Sequence, residues 1–209
     1  MTAHIAMVDY GMGNRRSVVK AFAHIGTQIA QTADHDELRA ADGLIVPGVG
    51  AFPEAMRRLR ALGLDDVVRA HAQEGKPVIG LCLGMQLLFE RSVEHEGSDG
   101  LGLLPGQIVR LDTQGLKLPH IGWNAVTWQR ESPLVAGLPS PAAFYHVHSF
   151  VAEPDDPSIV LGTGEYGSPF VSFVESGNVF GAQCHPEKSS THGLALLRNF
   201  VEICTPAHV

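Results

Sequence analysis

In the run 77–90, PVIGLCLGMQLLFE, a strand-like apolar stretch leads into Cys82 and a helical pattern starts directly after it. A cysteine at such a strand-to-helix turn is presented at the carboxyl edge of a sheet, where nucleophiles sit. Gly80 and Gly84, two residues to either side, permit the tight turn. Free thiols have a pKa of ~8.5, and a helix N-terminus or a neighbouring imidazolium lowers it to ~3.5–7.5, so this setting favours a thiolate. The N–H of the residue after an elbow nucleophile, here Leu83, points at a developing oxyanion. One such donor contributes ~2.7–4 kcal/mol in the transition state. A second donor is expected from the PGVG turn at 47–50. Taken alone, Cys82 is equally compatible with a small buried packing residue.

A base decides between those readings, and GAQCHPEKS at 181–189 offers one. Strand alternation puts Gln183 and His185 on one face and Cys184 on the other, so Cys184 is expected to pack and not to react. Pro186 fixes its own φ and pushes His185 toward extended backbone, which lets Glu187 turn back to hold the imidazole through Nδ1. The result is a nucleophile, a base and an orienting carboxylate, a set that attacks amide or ester carbonyls.

Other chemistries find less support. Three cysteines at wide spacing, Cys82, Cys184 and Cys204, suggest neither a disulfide framework nor a zinc site. Among 11 histidines there is no HExxH-like spacing, and the His146/His148 pair is read as strand packing, so no metal is expected. Of three glycine-rich spots, GMGNRR at 11–16 lacks the third glycine of the dinucleotide fingerprint, and PGVGAF at 47–52 suggests close backbone approach to a ligand. GTGEYG at 162–167 has all three but leads into Pro169 and a β-type run, and is expected to be a turn. A net charge of −7 leaves no basic footprint for nucleic acid. The apolar runs are strand-sized and the start MTAHIAMVDY is unlike a signal peptide, so a cytoplasmic protein without a membrane role is expected.

The elements that must position these residues fall into two halves of a single domain, 1–209. With 44% hydrophobic residues, a chain of 209 residues fills a core without metal or disulfide. Strands are expected at His4–Val8, Gln28–Gln31, Gly43–Val46 and Pro77–Leu81. Val18, Val19, Phe22 and Ile25 recur at helical spacing between them, as do Met56, Leu59 and Leu62. That alternation predicts an α/β fold with a mainly parallel central sheet covered by helices on both faces. From Leu101 onward short β-rich runs predict added antiparallel strands, including a hairpin turning at Ser176 and Gly177, and Leu194 to Val201 reads as a closing amphipathic helix.

GLCLGMQ and CHPEKS resemble the nucleophile and base motifs of the class I, triad-type glutamine amidotransferases. DYGMGN, VPGVGAF, LGLLPG, PHIGWN and YHVHSF look like segments of the glutaminase subunits of imidazole glycerol phosphate synthase, and the resemblance runs from about residue 5 to residue 203. It implies a flavodoxin-like α/β domain that releases ammonia from L-glutamine for a (β/α)₈-barrel cyclase, a separate chain in a heterodimer, without any cofactor. Residue by residue it implies Cys82 as nucleophile, His185 as acid and base, and Glu187 as orienter. Gly50, Leu83, Gln86, Glu94 and Ser149 match positions around the glutamine and the oxyanion, and Asn14, Trp123, Tyr145 and Lys188 match positions facing the cyclase. Arg15 in place of an apolar residue, His146 and Phe150 in place of other aromatics, and Cys184 in place of an aromatic depart from the family pattern. None of them touches the triad. A triad alone does not choose between amide substrates, so a peptidase or another amidotransferase glutaminase on the same scaffold remains open, as does a non-catalytic regulatory subunit.

Overall fold

The computed structural model describes residues 3–205. Its first half winds β1 (Ile5–Val8), α1 (Arg15–His24), β2 (Ile29–Thr32), α2 (His35–Ala40), β3 (Gly43–Gly48), α3 (Phe52–Ala61), α4 (Leu64–Gln73), β4 (Val78–Cys82) and the short α5 (Leu83–Leu87). The second half adds β5 (Phe89–Ser92), β6 (Ser98–Asp99), β7 (Leu104–Arg110), β8 (His120–Trp128), β9 (Ala142–His148), β10 (Phe150–Pro154), β11 (Val160–Tyr166), β12 (Ser168–Ser176), β13 (Val179–Ala182) and α6 (Ser190–Cys204).

All the strands belong to one 13-stranded sheet, whose spine runs β2-β1-β3-β4-β13-β12-β10-β7-β5-β6, with β11, β8 and β9 branching from β12. The first five of that order are parallel. They reproduce the doubly wound order of a flavodoxin-like sheet, with β13 as its fifth strand. Strand alternation sorts the core into two layers. Ile5, Met7, Ile45 and Ile79 face α1 and α6, packing with Val18, Phe22, Leu196, Leu197 and Phe200. Ala6, Val8, Leu44, Val46 and Val78 face the other way, onto Leu38, Met56, Leu59, Leu64, Val67 and Val68 of α2, α3 and α4.

The α/β class, the parallel core and the antiparallel additions agree with expectation, and several boundaries move. GTGEY is strand β11, and only Gly167, at φ +75°, turns the chain. The fingerprint spacing there reflects close packing, since a Cβ on Gly162 would meet the Trp128 ring at 2.8 Å. The hairpin turns one residue later than expected: Ser176 still pairs with Val179, and Gly177, at φ +57°, opens the two-residue connection with Asn178. Leu62 caps α3 instead of packing beneath it and is 48% exposed. The closing helix is longer at both ends, Ser190–Cys204. Helix α2 carries a polar run with Leu38 as its one buried residue, so periodicity could not reveal it; the Asp34 carboxylate accepting from Asp36 N and Glu37 N at 3.0 and 2.9 Å starts it.

Candidate active site

Parallel pairing of β4 with β13, with Leu81 opposite Ala182, carries both chains to the same edge of the sheet. Cys82 closes β4, and His185 follows three residues after the end of β13. Beside them β3 ends with Gly48 opposite Cys82, which places the PGVG turn next to the nucleophile. Strand β9 passes over both groups: Tyr145 O accepts from His185 N at 2.8 Å, and Val147 O accepts from the Cys82 thiol at 3.8 Å.

Cys82 has φ +55° and ψ −113°, a conformation rare for any residue with a side chain and characteristic of a nucleophile elbow. The two glycines around it serve close approach and not backbone freedom. A Cβ on Gly84 would lie 1.8 Å from Val46 O, and one on Gly80 would lie 2.5 Å from Gly84 O. Helix α5 therefore starts pressed against the neighbouring strand, and Leu83 is its first residue after the nucleophile. The helix has five residues, so local N–H groups, and not a long helix dipole, are what it offers the site.

His185 Nδ1 donates to Glu187 Oε1 at 2.9 Å, and the Glu187 side chain is 1% exposed. Burial acts to lower the imidazole pKa, but hydrogen bonds with Cys82 and Glu187 and their charges outweigh it, raising it to about 10. The base is thus held as imidazolium beside the sulfur at neutral pH. Ser189, buried and not foreseen from sequence, pins its backbone: Oγ donates to His185 O at 2.7 Å and accepts from Tyr145 N at 2.9 Å. Asn14, expected on the partner face, donates to Glu187 Oε1 at 3.1 Å, so one carboxylate oxygen takes both donors. Cys184 packs in the core against the α6 side, and burial pushes its thiol well up.

A cavity of about 270 Å³ opens onto this edge, lined by Gly50, Cys82, Leu83, Gln86, Glu94 and Ser149 together with Val49, Pro119, Val147, His148, Phe150 and His185. Every residue expected around the substrate is there. Gln86 Nε2 donates to Phe150 O at 3.1 Å and to Gln183 Oε1 at 2.9 Å, which leaves its amide oxygen to the cavity. Glu94 Oε2 accepts from Phe52 N at 2.7 Å and so caps α3, whose own cap residue Ala51 supplies no side-chain bond. Its second oxygen lies 3.9 Å from His95 Nε2 and faces the same cavity.

Tyr10 is a further residue that sequence reasoning missed. Its hydroxyl donates to Pro47 O at 2.6 Å, and burial, helped by Cys82, keeps its pKa above the usual tyrosine value, so the neutral phenol anchors the turn. Met12 and Gly13 border that turn too: a Cβ on Gly50 would stand 2.9 Å from the Met12 methyl, and one on Gly13 would stand 3.3 Å from Pro47 Cβ. Trp123 and Tyr145, paired across β8 and β9, meet edge to face at 6.1 Å, and Lys188 is exposed one residue from Glu187. With Asn14 these four gather at the Glu187 end of the site. His146, read from sequence as strand packing, points inward and is fully buried.

Comparison with known proteins adds the family. A model of the glutamine amidotransferase class-I family matches residues 6–204. The chain is 51% identical to the imidazole glycerol phosphate synthase subunit HisH of Bacillus cereus (strain G9842), over 94% of this chain and 93% of that protein. With the subunit of the same name from Aquifex aeolicus it shares 47%, over 93% and 94%. The chain belongs to the HisH family of class-I glutamine amidotransferases. A solved structure described as a glutamine amidotransferase superposes with a TM-score of 0.76 at 22% identity, over 96% of this chain and 98% of that one, which shows the shared fold. The parallel order with a sheet extension on one side is thus the scaffold of this amidotransferase class.

Proposed function

We propose that this chain is the glutaminase subunit that hydrolyses L-glutamine to glutamate and ammonia through a Cys82 thioester. It supplies the ammonia to a cyclase making imidazole glycerol phosphate and AICAR in histidine biosynthesis. The observation that carries the reading is the joint placement of Cys82, imidazolium-held His185 and the Leu83 amide at one small cavity. A space of about 270 Å³ lies at the small end of ligand sites and suits a free amino acid better than a peptide segment, which argues against the peptidase alternative.

In this mechanism the Cys82 thiolate attacks the side-chain amide carbon, and the Leu83 N–H with a donor from the PGVG turn holds the resulting oxyanion. His185 passes its proton to the leaving nitrogen, and ammonia departs. Neutral His185 then takes a proton from water, whose attack on the thioester gives glutamate and frees the thiolate. Glu187, fixed by Asn14, keeps the imidazole in the tautomer this exchange needs. Gln86 and Glu94 offer oxygens to the ammonium end of the amino acid.

Names of the relatives place them in a synthase with other subunits. A cyclase partner docking near Asn14, Trp123, Tyr145 and Lys188 is our assignment for this chain. Cys82→Ala in the assembled synthase should abolish synthesis driven by glutamine and leave synthesis from added ammonium within about twofold of the parent. Equal loss of both activities would overturn the separation of roles.

A further inference from the structure

Three buried histidines, His148 in one wall of the cavity with His120 and His146 packed against it, are used by no step of the hydrolysis mechanism. His120 sits opposite His148 across β8 and β9, and His146 lies beside them with its ring stacked on His120 at 5.4 Å. Unpaired imidazole nitrogens in such a place are costly, so their hydrogen bonds fix their protons. Phe150 O can only accept, so His148 Nδ1, 3.1 Å away, carries the hydrogen. The bare Nε2 of His148 then accepts from His120 Nδ1, also at 3.1 Å. Nε2 of His120 is left as an acceptor, facing the Asn124 amide at 3.5 Å, and that amide also donates to Glu165 O at 2.8 Å. His146 is satisfied separately, donating to Phe144 O and accepting from Ser172 Oγ.

The chain of bonds runs one way, from Asn124 through His120 and His148 to the Phe150 carbonyl. That carbonyl is also where Gln86 of the nucleophile helix donates. One acceptor thus ties the 148–150 segment of the cavity wall to α5. Burial lowers the pKa of His148 to about 3 and that of His120 below its usual value, which keeps both rings neutral and the direction intact. A proton on His148 Nε2 would set two N–H groups head to head.

We propose that His120 is a positioning residue for glutamine binding: through the His148 ring it holds the wall formed by His148, Ser149 and Phe150 in register with Gln86. The proposal rests on the glutaminase reading of the cavity and deepens it. His120 does not line the cavity and acts only through the His148 ring, so its effect should fall on substrate binding.

The test is steady-state glutaminase kinetics of the assembled synthase carrying His120→Phe or His120→Asn. Phenylalanine keeps a ring against Tyr166, 4.2 Å away between centroids, but removes the donor; asparagine retains an amide hydrogen close to the position of Nδ1. His120→Phe should raise KM for glutamine about tenfold with kcat within threefold of the parent, and His120→Asn should recover most of that loss. An unchanged KM in His120→Phe, or a fall in kcat alone, overturns the proposal. Should His120→Phe not fold, long-range ¹H–¹⁵N spectra of the parent protein decide the matter: both His120 and His148 should be Nδ1–H tautomers at neutral pH, and an Nε2–H form of either overturns it. If the parent synthase itself releases no glutamate, the glutaminase reading fails, and that outcome is distinct from either of these.

Discussion

Holding His185 as a buried cation depends on two neighbours, Cys82 and Glu187, acting against burial, and that balance has a measurable consequence. Because the Glu187 hydrogen bond and charge raise the imidazole pKa to about 10, replacing the carboxylate by an amide must let burial pull it down. The acid form of His185 is present below its pKa and lost as pH rises through it. Glutaminase kcat/KM in the assembled synthase should therefore show an alkaline limb near pH 10. In Glu187→Gln that limb should move to lower pH, and the maximum should fall by roughly 10²-fold or more. A limb that stays in place would show that Glu187 does not set the charge of His185. The triad itself was legible in sequence because the elbow glycines and the His-Pro-Glu step are local. Tyr10, Asn14 and Ser189 were not legible in these roles, because they act on Pro47, Glu187 and Tyr145 across 37, 173 and 44 residues of chain.

The nucleophile turn is built by packing of elements against each other, and its glycines are the points of contact. Gly84→Ala would drive a methyl into the Val46 carbonyl, a backbone atom that cannot rotate away. The variant should lose about 1–3 kcal/mol of stability in denaturant melts, together with most glutaminase activity as the Leu83 amide shifts. Full stability would mean that β3 and α5 are not in the contact described. The same reasoning explains what the sequence left open at this scale. Apolar runs revealed the parallel strands of the first half and β-rich runs after Leu101, and the hairpin signal joined β12 to β13, but β5 and β6 were not expected, since the stretch after Cys82 read as helical. Nothing local in 179–182 showed that its other edge pairs in parallel with β4, a contact between strands about a hundred residues apart. That single non-local pairing brings His185 to Cys82. Helix α4 was not expected from sequence, although Leu64, Val67, Val68, His71 and Ala72 lie buried at helical spacing, and Glu94 capping α3 from 42 residues away left no local signal.

In the whole molecule, the large apolar side chains left exposed include Val49, Ile121 and Trp123, at 40, 60 and 55%, the first at the PGVG turn and the others on β8. Such a surface around a catalytic edge suits a partner that also acts on the turn. Of the glycines flanking Val49, Gly48 is fixed by contact with α5, while Gly50, at φ +108°, carries the turn's unusual backbone. A partner biasing this turn toward a state with an N–H facing the oxyanion would add one donor, raising glutamine hydrolysis by ~10²–10³-fold over the chain alone. Steady-state rates with and without the cyclase and its nucleotide substrate measure this, and Lys188→Ala should weaken the response; equal rates would remove the partner effect and leave the triad in place. The central claim, a covalent intermediate on Cys82, is open to one direct measurement. Rapid quenching of the synthase during glutamine turnover, followed by peptide mass spectrometry, should find a glutamyl group on the Cys82 peptide. Cys184 and Cys204 should stay unmodified, since burial pushes both thiols up, the latter to about 12. Glutamate formed with no adduct at Cys82, or an adduct at either other cysteine, would contradict the account.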